Sequence, residues 1–276
     1  MTFDMNRAWD EAVRMLKANR ELVLILAGLF FFLPVFAVGI FVPETLTGPD
    51  LTTAADRMQV TMEYYNRNSG WLLLIQLVQA LGMLSVLALF ARRRLTVAQA
   101  IAAGAAALVP LLVAQFFLLL TLSLLGGLAV GLAAALSQAV AVAVAILVLL
   151  LALFVTARVV PLMPLLVADR RFNPFGALVD SWRMTAGKGW RILAFLILIG
   201  IAILIVSMLL RGVIGLLTAL ISNVEAANLI ASALSGLFSA FWLTLIMAVL
   251  MAIYRQLTAS SSAAGVPRTG ADVDSN

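Results

Sequence analysis

Between Thr96 and Ala168 the only charged residue is Arg158. A helix needs roughly 20 apolar residues to cross a hydrocarbon core of about 30 Å. This segment is too long for one crossing and fits two. The rest of the chain follows the same pattern, because 64% of its 276 residues are hydrophobic and 11% are charged. A soluble domain carries roughly a quarter charged residues, so the apolar excess here must face lipid.

Four further runs complete the expected architecture. The first covers about 22–42, with Pro34 near its middle as a kink, and the second about 71–90, from Trp71 to the Arg92–Arg94 triplet. The long segment divides at Gly126-Gly127 and Gly131, where the backbone can turn, into spans at 105–125 and 133–155. Arg158 then snorkels from the end of span four, and Pro161 and Pro164 bend or end that helix. Spans five and six cover about 192–210 and 229–253. The sequence thus predicts an all-α integral membrane protein of six transmembrane helices over residues 1–257. Residues 258–276, small and polar, are expected to form a disordered cytoplasmic tail. Residues 1–20 mix acids (Asp4, Asp10, Glu11) with bases and precede no small-residue cleavage site, so the first apolar run is expected to stay in the mature protein.

Charge sets the expected orientation. Six spans put both termini on one side, and that side would hold all but Arg57, Arg67 and Arg211 of the 18 basic residues. Cytoplasmic loops carry such an excess, so both termini are expected in the cytoplasm. The net charge of +5 sits beside apolar spans and points to topology and anionic lipid rather than nucleic acid. Cysteine and histidine are both absent, which excludes disulfides, thiolate nucleophiles, imidazole bases and cysteine-linked anchors, and zinc clusters of the usual kind. No cofactor and no metal is expected.

A unit repeats. Glu11, Arg14 and Met15 precede span one, and Asp180, Arg183 and Met184 precede span five, 169 positions later. Acid and arginine three apart on a helix can pair. Trp9, Val13 and Leu16 form one apolar stripe, and Phe175, Leu178 and Trp182 another. Asn173-Pro174 reads as a helix start, and Thr96 with Gln99 as a capping box before span three. Three hairpins follow, each preceded by a short amphipathic helix lying in the headgroup layer. The middle unit lacks the charged pair.

The segments AWDEAVRMLKANRELVLIL and NPFGALVDSWRMTAGKGWRIL, with Ser181 and Gly187, carry a resemblance. The chain, over roughly residues 5–257, resembles bacterial six-helix inner-membrane proteins related to the membrane domain of glycerophosphoryl diester phosphodiesterases. In fused members a soluble barrel cleaves the phosphodiester using histidines and acidic metal ligands. This chain has no histidine and only residues 258–276 after span six, so hydrolase activity is not expected of it. The resemblance implies a membrane module acting in envelope or lipid homeostasis.

No Asp or Glu falls inside a span, which argues against proton-coupled transport and intramembrane proteolysis. Arg92, Arg93, Arg94, Arg170, Arg171, Arg183, Lys188 and Arg191 are the candidate contacts for anionic lipid. Gln76 and Gln79, three apart on span two, are the candidates for a polar path. Small-residue rows at Ser232, Gly236 and Ala240 and at Ala135, Ala139 and Ala143 suit helix contacts within the bundle or a homodimer interface. The expectation is a non-catalytic protein organising lipids or partner proteins. The alternative is a passive transporter or channel for a small neutral or amphiphilic solute. A lipid-modifying enzyme built on Asp169 and Asp180 is the weakest reading.

Overall fold

The computed structural model describes residues 4–41, 54–92, 95–170 and 172–263. Among them no strand occurs, and six helices are long and apolar enough to cross a membrane. In chain order the helices are α1 (Met5–Ala18), α2 (Arg20–Ala27), α3 (Leu33–Phe41), α4 (Ala54–Ala91), α5 (Val97–Leu136), α6 (Gln138–Val159), α7 (Leu162–Ala168), α8 (Pro174–Met184), α9 (Gly189–Ala219) and α10 (Val224–Ala263). A π-helical turn, Gly28–Phe32, joins α2 to α3 into one span. It ends two residues before Pro34. Proline has no N–H to give and its ring crowds the carbonyl four residues back, and the wider turn, in which the Leu33 N–H reaches the Gly28 carbonyl, relieves that crowding.

Several boundaries differ from the sequence reading. The chain does not turn at Gly126, Gly127 or Gly131; α5 runs through all three and ends at Leu136. The break falls at Ser137, extended, with its hydroxyl accepting from the Val140 N–H at 3.2 Å. Glycine turns a chain readily in water, but in lipid a broken helix leaves carbonyls unsatisfied, so the helix continues until a side chain caps the next one. The Thr96–Gln99 capping box forms in both directions, at 3.0 and 3.3 Å. It opens α5 itself, so no separate interfacial helix precedes span three. α4 begins at Ala54, well before the expected start of span two at 71, and continues unbroken through it. α10 likewise extends to Ala263, past the expected start of the tail at 258, because Ala, Ser and Thr prolong a helix already seeded by the span. Residues 264–276 lie outside the described residues.

The chain forms two compact units. One comprises residues 15–108 and 199–248, the other 4–14, 109–198 and 249–263. In the first, α4 packs on α2, the π turn and α3. Glycines set the approach: a Cβ at Gly82 would collide with Phe30 and lie 2.9 Å from Phe31 Cε1. At Gly236 of α10 it would lie 2.9 Å from Phe32 Cδ2 and 3.1 Å from the Phe32 carbonyl, and at Gly39 it would collide with Ser232. Gly104 of α5 meets Ser85 of α4 in the same way. The row Ser232–Gly236 therefore packs inside this unit. Small residues let helix backbones approach, which drives association where lipid is as apolar as the helices.

In the second unit α5 and α6 form a hairpin in which Gly126 abuts Val148. Ala135, Ala139 and Ala143 are exposed, so this small-residue row is not buried against another helix among the described residues. Beyond α6, Val160 and Pro161 turn the chain into α7, and Arg170, at φ 52°, reverses it toward α8, which packs on both α6 and α7.

Candidate anionic-lipid interface

The two short helices that flank the spans begin alike. The Asp4 carboxylate accepts from the N–H groups of Asn6 and Arg7, at 3.0 and 3.2 Å. The Asn173 amide oxygen accepts from Phe175 and Gly176, both at 3.1 Å. Asp4 and Asn173 are 169 positions apart, the same interval that separates Glu11 from Asp180. Burial repeats too: Ala8 and Ala12 in α1 and Ala177 and Ser181 in α8 are fully buried. The docking face of each helix is thus its small-residue face. Trp9 is exposed, and so are Phe175 and Trp182, so members of both apolar stripes face away from the protein.

Each helix is held at the end of a span. α1 sits on α10: the Arg255 guanidinium donates to Glu11 Oε1 at 3.2 Å, and Gln256 exchanges hydrogen bonds with the Asp4 backbone at 3.0 and 3.3 Å. Glu11 was expected to pair with Arg14 on its own helix; its recorded ion pair is with Arg255. α8 sits on α6: the Ser181 and Thr185 hydroxyls donate to the Arg158 carbonyl at 3.3 and 3.2 Å. That carbonyl lies in the last turn of α6, where the helix supplies no donor. The Tyr254 hydroxyl donates to Asp169 Oδ1 at 2.8 Å, which gives Asp169 a structural role.

The predicted basic residues distribute as follows. Arg170, Arg183 and Arg191 are exposed and Lys188 is half-buried, all in the segment linking α7, α8 and α9. Arg92 is half-buried at the end of α4, in the other unit. Arg93, Arg94 and Arg171 lie outside the described residues. Gln76 is exposed and Gln79 half-buried on α4.

Arg158 was read as a topology marker alone, and the structure gives it more. Its guanidinium lies 4.5 Å from the Trp182 ring centroid and 5.9 Å from that of Phe154. Among the described residues three buried side-chain polar atoms have no hydrogen-bond partner: Arg158 Nε, Trp242 Nε1 and Thr244 Oγ1. The Arg158–Trp182 contact joins residues far apart in the chain, and no local spacing announces it. Among the described residues there is also no cluster of acids able to hold a metal.

Comparison with family models, with curated proteins and with solved structures finds no match to this chain.

Proposed function

We propose that this chain is a non-catalytic, multi-pass protein of a bacterial inner membrane that organises anionic lipid, with both termini on the cytoplasmic side. One observation carries the reading: α8 is inside out by the standards of a soluble protein. Its small face docks on α6, while Phe175, Val179 and Trp182, at helical spacing, stay 53%, 49% and 42% exposed. Water would penalise that face at roughly 25 cal/mol per Å². Exposed Arg170 and Arg183 accompany it, and apolar face beside basic residues is the pattern of a helix seated among headgroups. Each base near an anionic leaflet contributes about 1 kcal/mol, and the excess of basic residues on one side supports the orientation. The resemblance to phosphodiesterase membrane domains agrees with a lipid role but is carried by the two quoted segments alone.

The test is to extract the full chain with its native lipid shell and identify the shell by mass spectrometry. The expected result is enrichment of anionic lipid over the bulk membrane, lost when Arg170, Arg183 and Arg191 are together changed to Gln. A shell matching the bulk membrane overturns the reading. A stoichiometric protein in place of enriched lipid would move the organising role from lipid to protein.

A further inference from the structure

Arg255 and Arg158 occupy corresponding places, each near the end of a span on which a short helix docks, and they differ in one respect. Arg255 has the Glu11 carboxylate at 3.2 Å. Arg158 has no ion pair among the described residues, and its Nε is buried without a hydrogen-bond partner. Its guanidinium is instead faced by two aromatic rings. An aromatic face attracts a cation but leaves its N–H groups unmet, and a charge removed from water needs an anion or a set of acceptors. Stacking also leaves the guanidinium edge, a rigid fork of donors, open to a bidentate oxyanion.

A second element meets the same side chain. Gly189, the first residue of α9, is buried, and a Cβ there would lie 2.9 Å from Arg158 Cδ and 3.7 Å from its Nη1. The first N–H groups of a helix have no intrahelical acceptor, and the aligned peptide dipoles favour an anion there. The absence of a side chain at Gly189 is what lets Arg158 reach this turn. Exposed Trp190 and Arg191 follow it, the residue types that sit at headgroup level.

We propose that Arg158, backed by Trp182 and set against the first turn of α9, binds a phosphate oxyanion, supplied by the headgroup of an anionic phospholipid. The proposal rests on the lipid-organising reading and adds a discrete site to it. The Glu11–Arg255 pair shows an internal carboxylate doing for one arginine what the lipid phosphate does for the other.

The experiment uses the full chain, delipidated in a maltoside detergent that carries no phosphate. It is titrated with short-chain phosphatidylglycerol and, separately, with inorganic phosphate, and bound lipid is counted by native mass spectrometry. Saturable binding of phosphatidylglycerol is expected, weakened about tenfold or more by Arg158→Gln through loss of a charge-assisted pair. Gly189→Ala keeps the charge but forces the guanidinium aside, and is expected to weaken binding as well; it guards against misfolding of Arg158→Gln. Arg211→Gln, exposed on the same helix more than twenty residues from Gly189, is expected to change affinity by less than about threefold. Wild-type affinity in both the Arg158→Gln and Gly189→Ala chains would overturn the site. Saturation by inorganic phosphate, with displacement of the lipid, would overturn the headgroup as its source. A bulk-like native shell together with Arg158-dependent binding would sink the organising role and leave the site standing.

Discussion

The six helices long enough to cross a membrane are all strongly apolar, yet two regions use that property in opposite ways. Around α4 and α10 the helices bury large side chains against glycine: more than half of the most apolar 18-residue stretch of α10 is buried inside the protein, while in that of α6 nothing is. The α5–α6 hairpin presents Leu120, Leu124, Leu128 and Leu136 on one helix and Leu147, Leu149 and Leu151 on the other to its surroundings. Hydrophobicity therefore says which segments enter lipid and nothing about which of them touch. Contact is decided by the small residues. Gly82 and Gly236 are each closely capped by an aromatic ring, whereas Gly127 and Gly131 face open space.

Leucine substitution at these glycines sharpens the comparison, with stability measured by unfolding in mixed micelles. Gly82→Leu has the largest expected effect, a loss on the order of 3 kcal/mol, because the new side chain meets Phe30 and Phe31 and overpacking is costly. Gly236→Leu should cost about 2 kcal/mol: the Phe32 ring can swing aside, but the Phe32 carbonyl cannot. For Gly126→Leu we expect about 1 kcal/mol, since it meets a single methyl of Val148. Gly127→Leu should stay within about 0.5 kcal/mol of the unchanged chain. Equal losses at Gly82 and Gly127 would break the distinction between the two regions. The smallest effect, a labelling difference, needs no loss of stability at all. A lipid-soluble carbene-generating photolabel should modify Leu149 readily and Leu84 poorly.

Much of this was legible in the residues. Runs of about 20 apolar residues mark spans whatever their neighbours do, and the acid, arginine and methionine of α1 and α8 marked the repeat. Asn173 could be read as a cap beside Pro174; Asp4, its counterpart, lacks a following proline and was not. The hairpin turn was misplaced because Gly-Gly reads as a breaker in water, while the helix in lipid ran on to Ser137. The docking face of α1 went unmarked for a related reason: Trp9, Val13 and Leu16 form the conspicuous apolar stripe, but the closest packing goes to Ala8 and Ala12. The aromatic setting of Arg158 was invisible because Trp182 reaches it only through the reversal at Arg170.

The one-residue break at Ser137 has a consequence for how the protein is made. It leaves no polar loop between α5 and α6 for the insertion machinery to recognise, and no charge between Arg94 and Arg158 to halt or orient a single helix. The two helices must then partition from the translocation channel together, as a preformed hairpin, with Arg158 emerging last to hold its orientation.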